Sequence, residues 1–245
     1  MFRLGLLNPN TDERHTLAMR DVALNALPEG CEVTAATAPR GPTAIESEVD
    51  SVLAAAEVVG MMQPLLGLDA YLIACFGDPG LDAARELTDA PVVGIGEAAY
   101  QAARLIAKRF AIITTLPRGI PALENSLERQ GLRAQCVGVV PLHLSVSDQG
   151  RDHPDTTEAI IDAGRQLVDD HGAEALVLAC GGMADVALAV QNAVGVPICD
   201  GVSFGALLAF SLRRSGLRTS KARAYAYPES IPYVGMVGPA GSKGR

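Results

Sequence analysis

The stretch 71-YLIACFGDPG-80 carries a cysteine, Cys75, at the end of an apolar run and directly before a glycine turn. The stretch 176-LVLACGGMAD-185 repeats this arrangement around Cys180, 105 positions further along the chain. Short apolar runs bounded by turn residues are typical of buried strands in parallel sheets. The two stretches therefore predict that a thiol stands at the end of a buried strand twice in one chain.

Eight apolar runs of this kind occur along the sequence, and Ala-rich segments with helical spacing separate them. The runs are FRLGLLN from position 2, VTAAT from 33, AYLIAC from 70, PVVGI from 91, FAIITT from 110, CVGVVPL from 136, ALVLAC from 175 and VPICD from 196. Strands that alternate with helices form βαβ units and a mostly parallel sheet. The sequence therefore predicts an α/β fold.

The order of these features also repeats within the chain. Asn8, at the end of the first strand, lies 67 residues before Cys75, and Thr114 lies 66 residues before Cys180. A short strand opened by proline follows the two cysteines after 16 and 17 residues. We infer an internal duplication that gives two pseudo-symmetric Rossmann-like (flavodoxin-like) lobes with parallel sheets, with the boundary near residues 105 and 106 and the second lobe ending near 205.

Composition and charge limit the possible partners. The chain has 245 residues, of which 49% are hydrophobic and 20% are charged, as in ordinary soluble α/β proteins. A formal net charge of -8 argues against nucleic acid and against an anionic membrane surface, because both need a basic patch. No apolar stretch is long enough to span a bilayer. We expect a cytoplasmic protein with a small-molecule partner.

The five cysteines form an odd set without a CxxC pair or closely spaced histidines, so the sequence predicts free thiols and no metal site. The best histidine candidate, His153 in SDQGRDHPDTTE, has acidic neighbours but is typical of a turn before a helix. No nucleotide-binding or serine-hydrolase motif occurs. We expect a reaction that needs no cofactor.

The strand ends carry the candidate chemistry, because parallel sheets bind ligands beyond the carboxyl ends of their strands. If the two lobes face each other, Cys75 and Cys180 meet across one cleft. A single cysteine in such a place is often a small core residue, whereas two at equivalent positions favour a shared use. Two thiols, one of them ionised, can take a proton from one face of a carbon acid and return one to the other face.

The turn after the first cysteine predicts how its thiol is activated. Asp78 is a plausible N-cap and Pro79 the first residue of the following helix. The N–H groups of that turn and helix start predict a pKa of Cys75 lowered from about 8.5 toward neutrality. Gly77 would allow close approach of the backbone to a ligand.

Polar residues at the other strand ends have two interpretations each. Asn10 or Thr11 can cap the first helix, and Asn10 can instead bind a substrate carbonyl or imide. Thr114 and Thr115 fit a strand by propensity alone, and they can also contact a substrate. The residues themselves leave both interpretations open.

Seven motifs of the chain resemble those of the hydantoin racemases and the related allantoin racemases, within the aspartate/glutamate racemase superfamily. They are NPNT at 8–11, RGPTAIES at 40–47, ACFGDPGLDAARE at 74–86, PVVGIGEAA at 91–99, ITT at 113–115, LACGGMA at 178–184 and GLRTSK at 216–221. The resemblance spans nearly the whole chain. Two positions depart from it, since Val49 replaces a tyrosine and Ala179 a glycine, and these changes predict a changed pocket wall and a shifted Cys180.

The resemblance implies an isomerase that racemises 5-substituted hydantoins or allantoin without a cofactor, in a cleft between the two lobes. Carried over by motif, it implies two catalytic residues, Cys75 and Cys180. It also implies substrate contacts from Asn10, Ser47, Gly77, Thr114, Thr115 and Gly181. It further implies a homo-oligomer, and residues 206–245 that pack back onto lobe one (1–105) rather than onto lobe two (106–205).

Other functions remain open at this point. Arylmalonate decarboxylases and maleate isomerases of the same superfamily use related cysteine clefts, but the first are expected to keep one thiol and the second fit ACFGDPGLDAARE poorly. A non-catalytic two-lobed protein that binds a small imide or acid is the alternative from another class. Exchange of the α-proton of a bound ligand distinguishes an enzyme from such a sensor.

Overall fold

A computed structural model describes residues 1–145 and 154–234. The strands are β1 (Arg3–Asn8), β2 (Glu32–Thr37), β3 (Ala70–Ile73), β4 (Val92–Gly94), β5 (Phe110–Thr114), β6 (Cys136–Pro141), β7 (Ala175–Leu178) and β8 (Ile198–Asp200). The helices are α1 (Glu13–Ala26), α2 (Glu48–Met62), α3 (Leu81–Leu87), α4 (Ile95–Ile106), α5 (Ile120–Arg129), α6 (Pro154–His171), α7 (Ala187–Val194) and α8 (Gly201–Arg214). All eight predicted strands are therefore confirmed.

The strands form two parallel four-stranded sheets of the same design. The first sheet has the order β2-β1-β3-β4 and the second the order β6-β5-β7-β8, and every neighbouring pair is parallel. Every residue of β3, β5 and β7 is buried. Strands covered by helices on both faces need such uninterrupted apolar sequences. The predicted α/β fold of two similar lobes is confirmed.

Two helices cross between the sheets. Helix α4 follows the edge strand of the first sheet but packs against β7 and β8 of the second. Helix α8 follows the edge strand of the second sheet but packs against β3 and β4 of the first, and the two helices contact each other. One buried apolar cluster consequently joins Phe76 of the first half to Tyr100 of α4 and to Ala179 of the second half. The cluster couples the two halves through the hydrophobic effect.

The segment after α8 lies against the first half of the chain. The Thr219 amide donates to the Asp89 carbonyl oxygen at 2.9 Å, the Lys221 ammonium donates to the Glu86 carbonyl oxygen at 3.2 Å, and the Tyr225 hydroxyl donates to the Asp82 carboxylate at 3.0 Å. These contacts agree with the direction of the predicted crossing, while the lobe boundaries at 105 and 205 stay a prediction. Within the described residues, no helix is long and apolar enough to cross a membrane.

The start of α1 differs from the prediction. Its N-cap is Asp12, whose side chain accepts a hydrogen bond from the Arg14 amide at 2.9 Å. Asn10 and Thr11, the predicted caps, lie before the helix. The Asn10 side chain is already engaged in the preceding turn, where its Oδ1 accepts from the Asp12 amide at 3.0 Å.

The turn after Cys75 also differs from the prediction. Asp78 has a left-handed backbone with φ of 49°, and α3 begins only at Leu81, after Gly80 with φ of 72°. The Asp78 carboxylate turns away from α3 and accepts hydrogen bonds from the Gly96 amide at 2.9 Å and the Glu97 amide at 2.8 Å. Asp78 therefore caps α4, a helix distant in sequence, and the prediction that it caps the next helix was wrong.

Candidate active site

A cavity of about 240 Å³ opens beyond the carboxyl ends of strands from both sheets. All eight residues predicted from the sequence line it, namely Asn10, Ser47, Cys75, Gly77, Thr114, Thr115, Cys180 and Gly181. They come from both halves of the chain. The fold thus brings together at one place residues that are more than 170 positions apart in sequence.

The two cysteines have equivalent local settings. The Ala74 amide, next to Cys75, donates to the Leu7 carbonyl oxygen at 2.8 Å and extends the pairing of β3 with β1 by one residue. The Ala179 amide, next to Cys180, donates to the Ile113 carbonyl oxygen at 2.9 Å in the second sheet. Each cysteine is therefore the first residue beyond a central strand, and both are partly buried.

Burial controls the protonation of both thiols. It raises the pKa of Cys75 to about 12, to which the charge of Cys180 contributes, while a hydrogen bond from the Gly77 amide opposes the shift. Burial also raises the pKa of Cys180 to about 11 against a hydrogen bond from the Gly182 amide. The predicted lowering of the Cys75 pKa toward neutrality was wrong, because loss of hydration outweighs the turn amide. Both thiols are therefore protonated at neutral pH.

Asn10 is held by neighbouring amides. Its Oδ1 accepts from Asn8 Nδ2 at 2.8 Å as well as from the Asp12 amide at 3.0 Å. The backbone donor fixes the orientation of the side-chain amide, and two bonds use both lone pairs of Oδ1. Asn10 therefore has its Nδ2 donor to offer a ligand, which suits a carbonyl oxygen.

Ser47 and the threonines present hydroxyl groups to the same cavity. Ser47 caps α2, donating to Asp50 Oδ2 at 2.7 Å and accepting from the Asp50 amide at 3.2 Å. Thr114 ends β5 and is buried, and Thr115 follows it on the cavity wall. A hydroxyl group that rotates can donate to or accept from a polar ligand.

The two predicted glycines, Gly77 and Gly181, have different surroundings. A Cβ atom at Gly77 would meet no other atom within 4 Å, so the space in front of this residue is open. A Cβ atom at Gly181 would lie 2.4 Å from Met19 Sδ, so a larger residue at this position requires the flexible Met19 side chain to move. Gly77 consequently suits close approach of a ligand, and Gly181 suits close approach of α1.

Five polar residues of the cavity were missed at the sequence level, namely His15, Glu46, Glu48, Ser51 and Arg118. Glu46 accepts a hydrogen bond from the Ser145 hydroxyl at 3.1 Å, and its charge contributes to the raised pKa of Cys180. Arg118 and His15 also line the wall. Glu46 lies inside the motif RGPTAIES, which gave a signal, whereas Arg118 lies in the short 3-10 helix Pro117–Gly119 after β5, outside any motif.

The two departures from the family motifs have different outcomes. Val49 is 69% exposed and does not line the cavity, so the expected change of the pocket wall at this position was wrong. Ala179 is buried and does line it, directly before Cys180.

His153, the best histidine candidate of the sequence, lies outside the described residues. Among the residues that are described, no group of three or more His, Cys, Asp and Glu side chains could hold a metal ion.

Comparisons with known proteins identify the family. The sequence model of the family "Asp/Glu/Hydantoin racemase" matches residues 4–209. A hydantoin racemase of Rhizobium meliloti is 38% identical over 231 residues, covering 92% of this chain and 94% of that protein. A hydantoin racemase of Pseudomonas sp. strain NS671 is 36% identical over 240 residues, covering 96% of this chain and 95% of that protein.

A solved structure has the same fold over nearly its whole length. The allantoin racemase from Klebsiella pneumoniae superimposes with a TM-score of 0.93 at 34% sequence identity, covering 96% of this chain and 97% of that one. Sequence and structure thus agree on one assignment. The chain belongs to the Asp/Glu/hydantoin racemase family and is, as the sequence predicted, an isomerase.

Proposed function

We propose that this protein racemises 5-substituted hydantoins, allantoin included, with Cys75 and Cys180 as its two acid–base groups and without a cofactor. One observation carries the proposal: two thiols from equivalent strand ends of opposite sheets line a single cavity. Relatives named for hydantoin and allantoin support this substrate class.

The reaction begins with one cysteine as thiolate and the other as thiol. The thiolate takes the proton from C5 of the ring, and the C–H electron pair moves into the ring to form an enolate. The thiol on the opposite side then gives its proton to the other face of C5. The carbon is inverted, the first cysteine has become a thiol, and the second has become a thiolate. Atoms and charges balance with no further reactant.

Polar groups around the ring support the charge that develops on its oxygen. The Nδ2 donor of Asn10 and the hydroxyl groups of Thr114 and Thr115 are the donors that we assign to the ring carbonyl groups. Fixed donors aimed at a developing oxyanion commonly contribute several kcal/mol, about 2.7–4 for one donor. The amides of Gly77 and Gly182 stabilise whichever sulfur is ionised.

The wall also suits a ring with a varied C5 substituent. Apolar side chains line it together with charged groups that include Glu46 and Arg118. The apolar set consists of Met19, Ile45, Ala74, Phe76, Leu116, Ala122, Leu123 and Ala179. A mixed lining accepts an alkyl substituent on its apolar part and the ureido group of allantoin on its polar part.

We also propose assembly as a homo-oligomer, for which the exposed Val49, Val52 and Leu53 on α2 offer an apolar surface.

The test follows α-proton exchange and optical rotation together. Each enantiomer of allantoin and of a 5-alkyl hydantoin is incubated with the protein in deuterium oxide and observed by proton NMR and polarimetry, with an enzyme-free control. We expect catalysed loss of the C5 proton signal and of rotation with at least one compound. Binding without exchange would instead favour a sensor of small imides.

Cysteine variants complete the test. Cys75→Ser and Cys180→Ser should each lower racemisation by about 10²–10⁴-fold, the usual contribution of a general acid or base, because serine is a much weaker acid. Cys31→Ser is the matched control, since Cys31 is a free thiol outside this cavity. Full activity of either cavity variant would refute the two-thiol scheme.

A further inference from the structure

The carboxylate of Asp78 connects the two halves of the site, and we infer that Asp78 is a positioning residue for the two thiols. It fastens the loop that carries Cys75 to the first turn of α4, the helix whose start also contacts the loop that carries Cys180. The catalytic consequence of this inference rests on the proposed function. The fastening itself does not.

The bond between the loop and the helix is short and closely fitted. Asp78 Oδ1 accepts from the Gly96 amide at 2.9 Å and Oδ2 accepts from the Glu97 amide at 2.8 Å. A Cβ atom at Gly94 would lie 2.2 Å from Asp78 Oδ1. A Cβ atom at Gly96 would lie 2.1 Å from the carbonyl oxygen of Phe76, the residue after Cys75. The loop therefore lies directly on the helix start.

The same helix start also contacts the loop that carries the second thiol. A Cβ atom at Gly181, the residue after Cys180, would lie 3.3 Å from Ile95 Cδ1, at the first position of α4. Helix α4 also packs against β7, the strand that leads to Cys180. Because one rigid element contacts both cysteine loops, the fastening by Asp78 sets the separation of the thiols across the cavity.

The second half of the chain solves the same capping problem differently. There the helix start is capped by its own residue Asp200, whose Oδ1 accepts from the Ser203 amide at 2.7 Å. Gly94 is the structural counterpart of Asp200, with φ and ψ of -93° and 145° against -88° and 138°. The counterpart of Asp78, 105 positions later, is the buried Met183. In the first half the carboxylate that caps the helix belongs to the cysteine loop, whereas in the second half it belongs to the residue directly before the helix.

This placement also makes the two thiols electrostatically unequal. The charged and titratable groups near Cys75 are Cys180 and Asp78, and both raise its pKa in addition to burial. Asp78 itself faces Glu97 and Tyr100 of α4 and Arg85 of α3. Burial, followed by the charge of Glu97, raises the pKa of Asp78 to about 8. Cys180 therefore has the lower pKa of the two thiols, about 11 against about 12 for Cys75, and is the first to ionise as the pH rises.

The test exchanges the two counterpart residues. Asp78→Gly removes both the cap and the fastening, and glycine tolerates the left-handed backbone. The double variant Asp78→Gly/Gly94→Asp returns a carboxylate to the helix start, as at Asp200, but leaves the loop unfastened. Asp200→Gly is the matched control, because it removes a cap of the same kind from α8, and the hydrogen bond that it removes, from the Ser203 amide, involves neither cysteine loop. A further variant, Asp78→Asn, keeps one acceptor without adding a flexible glycine.

We expect Asp78→Gly to lower Tm and to lower kcat by about 10- to 100-fold with little change in KM, since displacement of a reacting group by about 1 Å costs roughly 100-fold. Asp78→Asn should show a smaller loss of kcat. The exchange variant should recover Tm but not kcat. Asp200→Gly should lower Tm and keep kcat. Recovery of wild-type kcat in the exchange variant, or wild-type kcat in Asp78→Gly, would overturn the inference and leave Asp78 as a cap only.

A second readout separates this inference from the proposed function. Hydrogen–deuterium exchange of the peptides that cover 71–80 and 95–106 reports fastening without any substrate. We expect faster exchange of the loop in Asp78→Gly and in the exchange variant, with the helix start protected again only in the latter. A loop as protected as in the wild type refutes the inference, whereas absence of racemisation by the wild-type protein refutes the proposed function alone.

Discussion

At the scale of single residues, two opposing effects set the pKa of each cavity thiol. An amide of the following turn contacts each sulfur, and this contact alone would favour a thiolate. Burial is the larger effect and raises the pKa of Cys75 to about 12 and of Cys180 to about 11. The singly ionised form that the proposed reaction needs is consequently a minor species near neutrality.

The small population of the singly ionised enzyme near neutrality predicts a pH dependence of racemisation. Since both pKa values lie well above 9, the fraction of enzyme with one thiolate grows about tenfold for each pH unit from 7 to 9. The logarithm of kcat/KM should therefore rise with a slope near one over this range. Polarimetry at constant ionic strength, corrected for the enzyme-free rate, measures it.

Cys31→Ser is the control for the pH profile, because that thiol lies outside the cavity. A plateau of kcat/KM that begins below pH 8 would contradict the prediction, because it would mean that a thiol is already ionised there.

The sequence motifs predicted some of the cavity residues but not all of them. Every residue taken from a motif, such as Asn10 and Ser47, lines the cavity. Arg118 was not predicted, because it has no motif and reaches the cavity only through the path of the loop after β5. Nothing in the local sequence distinguishes it from other surface arginines.

At the scale of elements, the start of α4 is packed tightly against the turn that carries Cys75. Gly96 lies where a Cβ atom would be 2.1 Å from the Phe76 carbonyl oxygen and 2.9 Å from Asp78 Oδ2. Both neighbours belong to the turn after Cys75, and one of them is backbone. A methyl group at this position can be accommodated only if the turn moves.

Gly96→Ala should therefore lower the free energy of unfolding by about 1–3 kcal/mol, the usual cost of overpacking. It should also lower kcat, since the displaced turn carries Cys75. Urea unfolding and polarimetry measure the two effects.

Gly60→Ala is the control within another helix. A Cβ atom there would meet no other atom within 4 Å, so alanine should stabilise α2 by about 0.5–1 kcal/mol through its better helix propensity. A Gly96→Ala variant as stable as the wild type would show that the turn yields without cost.

Elements were predictable where their signal is local. The eight strands follow from apolar runs and turn residues within windows of a few positions. The caps at Asp12 and Gly80 were missed, because Asn10 and Asp78 are equally good capping residues by type. The Asn10 side chain is held by Asn8 and by the Asp12 amide within the same turn, whereas the Asp78 side chain is held by amides of α4, 18 and 19 positions away. Residue type alone reveals neither set of partners.

At the scale of the whole molecule, the exchange of α4 and α8 between the sheets makes the cavity part of one core. Phe76, Tyr100, Phe110 and Ala179 belong to a single buried cluster, so neither half completes its packing alone. Cys199, whose pKa burial also raises to about 12, belongs to the same cluster.

These raised pKa values predict a loss of global stability at alkaline pH. An unfolded thiol has a pKa of 9.0, whereas the folded values lie at about 11 and 12. The unfolded chain therefore releases these protons first, and the stability contributed by the neutral thiols is present below pH 9 and lost as the pH rises toward 12. Each thiol contributes a fall of about 1.4 kcal/mol per pH unit in that window.

Urea unfolding between pH 7 and 10.5 tests this linkage. The double variant Cys75→Ser/Cys180→Ser should show a shallower fall above pH 9, because serine does not titrate there. Parallel pH curves for wild type and double variant would contradict it.

The sequence by itself determined the α/β class, the eight strands, the repetition and the place of both cysteines at strand ends. These features depend on short-range patterns of apolar and turn residues, which are written in consecutive positions. The tertiary structure alone decided that Asp78 caps α4, that Glu46 and Arg118 join the cavity, and that burial raises the pKa of both thiols. Each of these depends on groups brought together from distant parts of the chain, and on the loss of hydration that follows when they pack.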